Sequence, residues 1–299
     1  MRTLRWILIT LGIFAAVWVA VIAANTTLRY LGLTVAPKAP EELSAALRQY
    51  YRVAKPEGPG PFPTALLFSG CDGPQDNLDR WSAMLVDNGW AAVVVDSHGP
   101  RDYQDFEVWR LICAGQLLFG SERAGDVLIA INDALHATFV DRNAIVLIGA
   151  SHGGWAIMEL LAFEQAWELP PGLTELPDAI PVRNPLESIV GQILLYPYCG
   201  IANRARKEGW RHPSPTLFLL SGNDMIAPAE DCLKVIDILE ERGLPVETHV
   251  FESVTHGFDQ SSRSSLSPLE YDAAATAEAL QIGADFLDSV LKDGKRSAE

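Results

Sequence analysis

The pentapeptide Gly149-Ala150-Ser151-His152-Gly153 constrains this chain more than any other stretch. The apolar run Ala144-Ile145-Val146-Leu147-Ile148 leads into it, and Trp155-Ala-Ile-Met-Glu-Leu-Leu-Ala follows at helical spacing. A strand must therefore turn sharply into a helix, with Ser151 at the apex. Glycines on either side let the backbone make the turn and let the helix pack close. A serine lifted clear of a sheet in this way can present its hydroxyl to a carbonyl carbon.

Such a nucleophile needs a base, and the base needs an orienting acid; behind this kind of elbow the chain order is Ser, then Asp or Glu, then His. Thr216–Ser221 reads as a buried strand running into Gly222-Asn223-Asp224. Asp224 is the expected acid, its alternative role being to cap a helix that starts near Ala229. Glu247–Phe251 alternates as a strand and is followed by Ser253-Val254-Thr255-His256-Gly257. His256 is the expected general base, against the plainer reading of an ordinary loop histidine. His136, His212 and His249 read as structural or solvated, while His98 and His152 lie closer to the expected site. No histidine pair has metal-site spacing, so neither a metal nor a cofactor is expected. The oxyanion hole should combine the backbone N–H of His152 with that of Cys71, in the loop Gly70-Cys71-Asp72-Gly73 after the strand Thr64–Ser69. The competing reading of that loop is a simple glycine-rich turn.

Several stretches together resemble the dienelactone hydrolase family of the α/β-hydrolase superfamily. They are Phe68-Ser-Gly-Cys-Asp-Gly73, Val94-Val-Asp-Ser-His-Gly-Pro-Arg101, Ser121-Glu-Arg-Ala-Gly-Asp126, Gly149-Ala-Ser-His-Gly-Gly154, Gly222-Asn-Asp224 and His256-Gly-Phe258. They span residues 60–260 in the family's order. The resemblance implies an α/β-hydrolase fold, with a mostly parallel central sheet flanked by helices, and a hydrolase of esters or lactones. One departure matters: the name-giving enzymes use a cysteine nucleophile, whereas position 151 is serine. The resemblance therefore points to the serine-using side of the family and not to dienelactone as substrate.

Strand and helix signals alternate from residue 60 to 292 with no repeat or low-complexity linker, which argues for one α/β domain. Strands are expected at 64–69, 91–96, 144–150, 192–196, 216–221 and 247–251, and helices at 77–88, 121–137, 153–168, 230–242 and 272–292. The formal net charge is −15, and no basic run is interleaved with aromatic residues, which argues against a nucleic-acid partner. Ahead of the domain, Trp6–Ala24 is an apolar stretch following Arg2 and Arg5. As a helix it spans about 28 Å, close to the thickness of a bilayer core. The arginines would remain cytoplasmic and send the domain outward. The division expected is 1–25 as anchor or signal peptide, 26–40 as tether and 41–299 as catalytic domain. The apolar stretch exceeds a typical signal core, which favours an uncleaved anchor over a cleaved, secreted form.

Export makes disulfides possible for the four cysteines, which allow three connectivities. Cys199 and Cys232 lie at outlets of strands that should be neighbours, and Cys71 and Cys113 both flank the expected mouth of the site. The expected pairs are thus 71–113 and 199–232, against four buried thiols. Residues 164–188, rich in proline, are a candidate cover for the acyl or alcohol pocket, or a plain excursion. Arg101, with His98, is a candidate for holding substrate, although Arg101 can instead pair with Asp126 or Asp96. Arg123 and Asp126, three apart on one helix face, read as an ion pair. The function expected is an exported serine hydrolase acting on a small-molecule ester or lactone. The rivals are a serine peptidase of the same fold and an inert, membrane-tethered binding protein.

Overall fold

The computed structural model describes residues 2–103, 106–166, 168–177, 184–262 and 267–296. Seven strands form one sheet: β1 (Tyr51–Ala54), β2 (Phe62–Phe68), β3 (Ala91–Val95), β4 (Val140–Ala150), β5 (Ile189–Leu195), β6 (Thr216–Ser221) and β7 (Val246–Phe251). Their spatial order is β1-β3-β2-β4-β5-β6-β7, with β1 antiparallel to β3 and every other pair parallel. The helices are α1 (Arg2–Tyr30), α2 (Pro40–Arg48), α3 (Asp76–Asp87), α4 (Phe106–Cys113), α5 (Gly120–His136), α6 (His152–Ala166), α7 (Ala205–Glu208), α8 (Ala229–Glu241) and α9 (Ala273–Arg296). This is the α/β-hydrolase architecture expected from the sequence.

The inner strands are apolar on both faces because helices cover both faces. Leu66, Phe68, Ile145 and Leu147 point into one core with Leu43 and Leu47 of α2, Val127 and Ile131 of α5, Ile157 and Leu161 of α6, and Val235 and Leu239 of α8. Their neighbours Ala65, Leu67, Val146 and Ile148 point into a second core with Leu78 and Trp81 of α3 and Phe286 and Leu287 of α9. Period-two alternation thus feeds two cores from one set of strands.

Four elements had no sequence expectation. β1 is a four-residue edge strand, α2 starts at a proline with Glu41 and Glu42 in its first turn, α4 follows the short 3₁₀ turn Gly99–Arg101, and α7 is a single turn of four residues. Each is too short for periodicity to separate it from loop. α1 also runs beyond the expected boundary, to Tyr30. Its last turns are held by the domain: Asn25 Nδ2 donates to Gln116 O at 3.0 Å, and Gln116 Nε2 donates to Thr26 Oγ1 at 2.8 Å. Beyond it, Lys38 forms a parallel bridge with Leu173. The described part of 164–188 therefore packs on the segment following α1 and on α5, where Gly172 meets Glu122. None of its described residues lines the cavity at Ser151; residues 167 and 178–183 lie outside the described residues.

Candidate active site

β4 ends at Ala150 and α6 starts at His152, leaving Ser151 alone to turn the chain. Its φ of 50° is a left-handed conformation that few side chains tolerate. The neighbours enforce it. A Cβ at Gly149 would stand 2.5 Å from the Gly154 nitrogen, and one at Gly153 would collide with the Phe68 carbonyl oxygen. The Ser151 N–H donates to Leu195 O at 2.8 Å, tying the elbow to β5.

The loops after β6 and β7 bring Asp224 and His256 to this point. Ser151 Oγ lies 2.8 Å from His256 Nε2, and His256 Nδ1 lies 2.6 Å from Asp224 Oδ2. A neutral imidazole that donates from Nδ1 leaves Nε2 free to accept the serine proton. The other carboxylate oxygen, Asp224 Oδ1, accepts from the N–H groups of Ile226 and Ala227, both at 2.8 Å. Asp224 thus shapes its own loop while it orients the histidine. Behind His256, the Tyr196 ring packs edge-on at 4.9 Å between centroids. Tyr196 Oη donates to Asp259 at 2.5 Å, and Trp81 Nε1 donates to the same carboxylate at 3.0 Å.

The loop after β2 passes beside the serine, and a Cβ at Gly70 would stand 3.9 Å from Ser151 Cβ. Among the described residues, the Cys71 and His152 N–H groups have no acceptor. His98 Nε2 donates to Cys71 O at 3.1 Å. Burial, then the charge of Arg123, pushes His98 down to about 3, so it is a neutral prop for that loop.

Of the two readings of Arg101, the structure shows the pairing with Asp126, and the ion pair expected between Arg123 and Asp126 needs correction. Arg101 is not free to hold a substrate: it donates to both oxygens of Asp126 at 3.0 Å and lies 3.5 Å from Glu122. That pairing also takes Asp126 away from Arg123. Arg123 is fully buried and donates to Ser69 O at 2.8 Å, Ser69 Oγ at 3.1 Å, Ser97 Oγ at 3.0 Å and His152 Nδ1 at 3.0 Å. It clamps the ends of β2 and β3 to the elbow. The spacing of three residues gave a plausible local partner, but the tertiary contacts point the guanidinium inward.

Both cysteine pairs are bonded, Cys71 to Cys113 and Cys199 to Cys232, each with Cα atoms 5.0 Å apart. The first joins the Cys71 loop to the end of α4; the second joins the loop after β5 to the first turn of α8. A cavity of about 560 Å³ opens at Ser151 and His256, a size suited to a small organic ligand. Asp72, Asn77, Tyr103, Cys113, Ile226 and Leu269 are among its walls. Burial raises the Asp72 carboxyl above its usual range, and Gln260 Nε2 donates to it at 2.7 Å. Tyr196, Asp259 and Asn77 carried no sequence signal, because nothing in their local spacing marks them, and Asp72 was marked only as part of its loop.

The dienelactone hydrolase family model matches residues 189–291, which include Asp224 and His256. The acylamino-acid-releasing enzyme of Arabidopsis thaliana is 24% identical over 212 residues, covering 62% of this chain and 26% of that enzyme. The chain thus spans about a quarter of the length of that relative. Among solved structures, a dienelactone hydrolase-like promiscuous phosphotriesterase from metagenomic libraries superposes with a TM-score of 0.59 at 19% identity, covering 79% of this chain and 88% of the other. Thermogutta terrifontis esterase 2, phosphoramylated by tabun, superposes with a TM-score of 0.56 at 17% identity, covering 80% and 89%. At these identities the likeness is one of fold.

Proposed function

We propose, from an α/β-hydrolase fold whose residues 189–291 match the dienelactone hydrolase family, that this protein is a serine hydrolase cleaving carboxylic esters or lactones. The observation that carries the reading is the hydrogen-bonded chain Ser151–His256–Asp224, with Ser151 held at positive φ beside two free N–H groups. Ser151 Oγ attacks the ester carbonyl carbon as its proton passes to His256 Nε2. Asp224 holds the imidazole in the Nδ1–H tautomer and stabilises the imidazolium. The N–H groups of Cys71 and His152 receive the oxyanion, each worth about 3–4 kcal/mol in the transition state. The tetrahedral intermediate collapses, His256 returns the proton to the leaving alcohol, and water then releases the acid from the acyl-enzyme through the same base.

The N-terminal helix supports a membrane location. An 18-residue window within Thr3–Tyr30 has a mean hydropathy of 2.7 and no residue buried in the protein. Two disulfides fit an oxidising compartment. The reading is therefore residues 1–25 as anchor and the catalytic domain outside the cytoplasm. The likeness to an acylamino-acid-releasing enzyme favours peptide cleavage as a second reading. A fluorophosphonate probe should label wild-type protein on Ser151 and leave Ser151→Ala unlabelled. Short-chain nitrophenyl esters should then be turned over faster than peptide nitroanilides. Labelling elsewhere, or none, overturns the hydrolase reading, and the reverse substrate order selects the peptidase.

A further inference from the structure

Parallel strands deliver their following loops to one edge of a sheet, and that edge carries Ser151. α5 returns the chain to the start of β4, so its N-terminus lies at the same edge. The last turns of α1 are fastened there. Asn25 Nδ2 donates to Gln116 Oε1 at 2.9 Å as well as to its carbonyl, Arg29 lies 3.7 Å from Glu122, and the Arg204 guanidinium stands over the Tyr30 ring at 5.7 Å. Gln116 is three residues from Cys113, which lines the cavity and is bonded to Cys71. The apolar helix therefore leaves the domain beside the mouth of the site, on a fixed exit.

The same edge carries exposed apolar side chains. Met225 is 93% exposed and Ile201 79%, on the loops after β6 and β5, and Leu111 and Ile226 are each 47% exposed. Leu31 and Leu33, directly after α1, are also exposed. Single exposed apolar residues are ordinary; several on the loops of the edge that carries the cavity, of which Ile226 lines it, together with a bilayer-length helix fastened at that edge, point to a particular occupant.

We propose that this edge is a membrane-facing surface, and that the cavity takes its substrate from the bilayer as an amphiphilic, lipid-borne carboxylic ester. The ester carbonyl of such a molecule sits at the headgroup boundary, where the fixed exit of α1 sets Ser151, while its chain stays among the acyl tails. The inference rests on the hydrolase and anchor readings above. The net charge of −15 makes a zwitterionic bilayer the favoured surface.

The test uses full-length protein in phosphatidylcholine vesicles with two substrates, water-soluble nitrophenyl acetate and bilayer-dissolved methylumbelliferyl palmitate. Two alterations leave Ser151 and its partners untouched. One is the double substitution Ile201→Asp with Met225→Gln. The other is a Gly-Ser linker of about ten residues between Ala24 and Asn25, which lets the domain stand off by roughly 16–19 Å. Each should lower palmitate turnover about tenfold, as expected for a loss of about 1.4 kcal/mol of surface binding, and leave acetate turnover within about twofold. Turnover of both esters by wild type, with palmitate hydrolysis unaffected by either alteration, overturns the membrane-facing mouth and spares the hydrolase. Failure to cleave either ester overturns the hydrolase reading and this inference together. Loss of the protein from the vesicles through cleavage near Asn25 overturns the anchor and, with it, this inference.

Discussion

Ser151 and His256 stand 105 positions apart in the chain and 2.8 Å apart at the site. If they act as one unit, removing the second costs little once the first is gone. Ser151→Ala should lower kcat by about 10⁶, and Ser151→Ala with His256→Ala should fall only slightly further. Steady-state rates on nitrophenyl acetate check this; multiplicative losses would mean that His256 acts elsewhere. Arg123 is a second point of leverage. Burial pushes it down to about 10, so it stays charged at neutral pH, and its donors go to neutral acceptors around both loops of the expected oxyanion hole. Arg123→Met strands these buried acceptors at about 1–3 kcal/mol each and loosens both loops. Urea unfolding should show the lost stability, and kcat per fluorophosphonate-titrated site should fall as well. Glu159 sets a pH dependence. Its Oε1 accepts from Trp155 Nε1 and Arg204 N, both at 2.9 Å, and burial pushes the carboxyl up to about 7 from its usual 4.5. Between those two values the native state holds a proton that the unfolded chain has released, so stability falls as pH rises through that window and levels off above it. The loss should be roughly 3 kcal/mol. Glu159→Gln keeps an acceptor and removes the titration, so its unfolding free energy should be flatter from pH 4.5 to 7.

At the scale of elements, the Cys71–Cys113 bond is the joint to test. It ties α4 to the loop that presents the Cys71 N–H, and it closes a separation of 42 residues. Closing a loop of that size is worth about 2–4 kcal/mol against the unfolded chain. A donor aimed at a developing oxyanion also has to be held still. Cys113→Ala should therefore lower kcat under conditions where circular dichroism still reports a folded domain. Unchanged kcat in such a folded variant would leave the bond a purely structural role. Loss of Cys199–Cys232, which ties the loop after β5 to the first turn of α8, should act mainly through the Asp224 loop that precedes that helix.

The molecule as a whole joins an acidic domain to an apolar helix whose exit is part of the fold. Full-length protein should fractionate with membranes and resist carbonate extraction. Protein beginning near Asn25 and found in the soluble fraction would replace the anchor with a signal peptide. In that case Asn25 and Thr26 would still bond Gln116, and the chain would keep its ordered start.

The sequence alone determined those parts of this protein that depend on neighbours along the chain. Buried strands announced themselves as apolar runs, and β2 to β7 lie within a few residues of the expected positions. The Ser151 elbow was legible because Gly149 and Gly153 are demanded by contacts within a single strand–turn–helix unit. Asp224 and His256 were legible because each follows such a strand, and the order of strands puts their outlets at one edge. What remained hidden depends on partners far away in sequence. Arg123 had Asp126 on its own helix face, yet the ends of β2 and β3 and the elbow claimed it, while Arg101 claimed Asp126. Residues 164–188 had no periodicity to say which surface they would meet, and their described part met Lys38 and α5. The last turns of α1 looked like the start of a tether because polar residues follow the apolar run, whereas Gln116 and Glu122 hold them as helix. Hydrogen bonds and ion pairs of this kind are chosen by proximity in three dimensions, so only the tertiary structure could decide them.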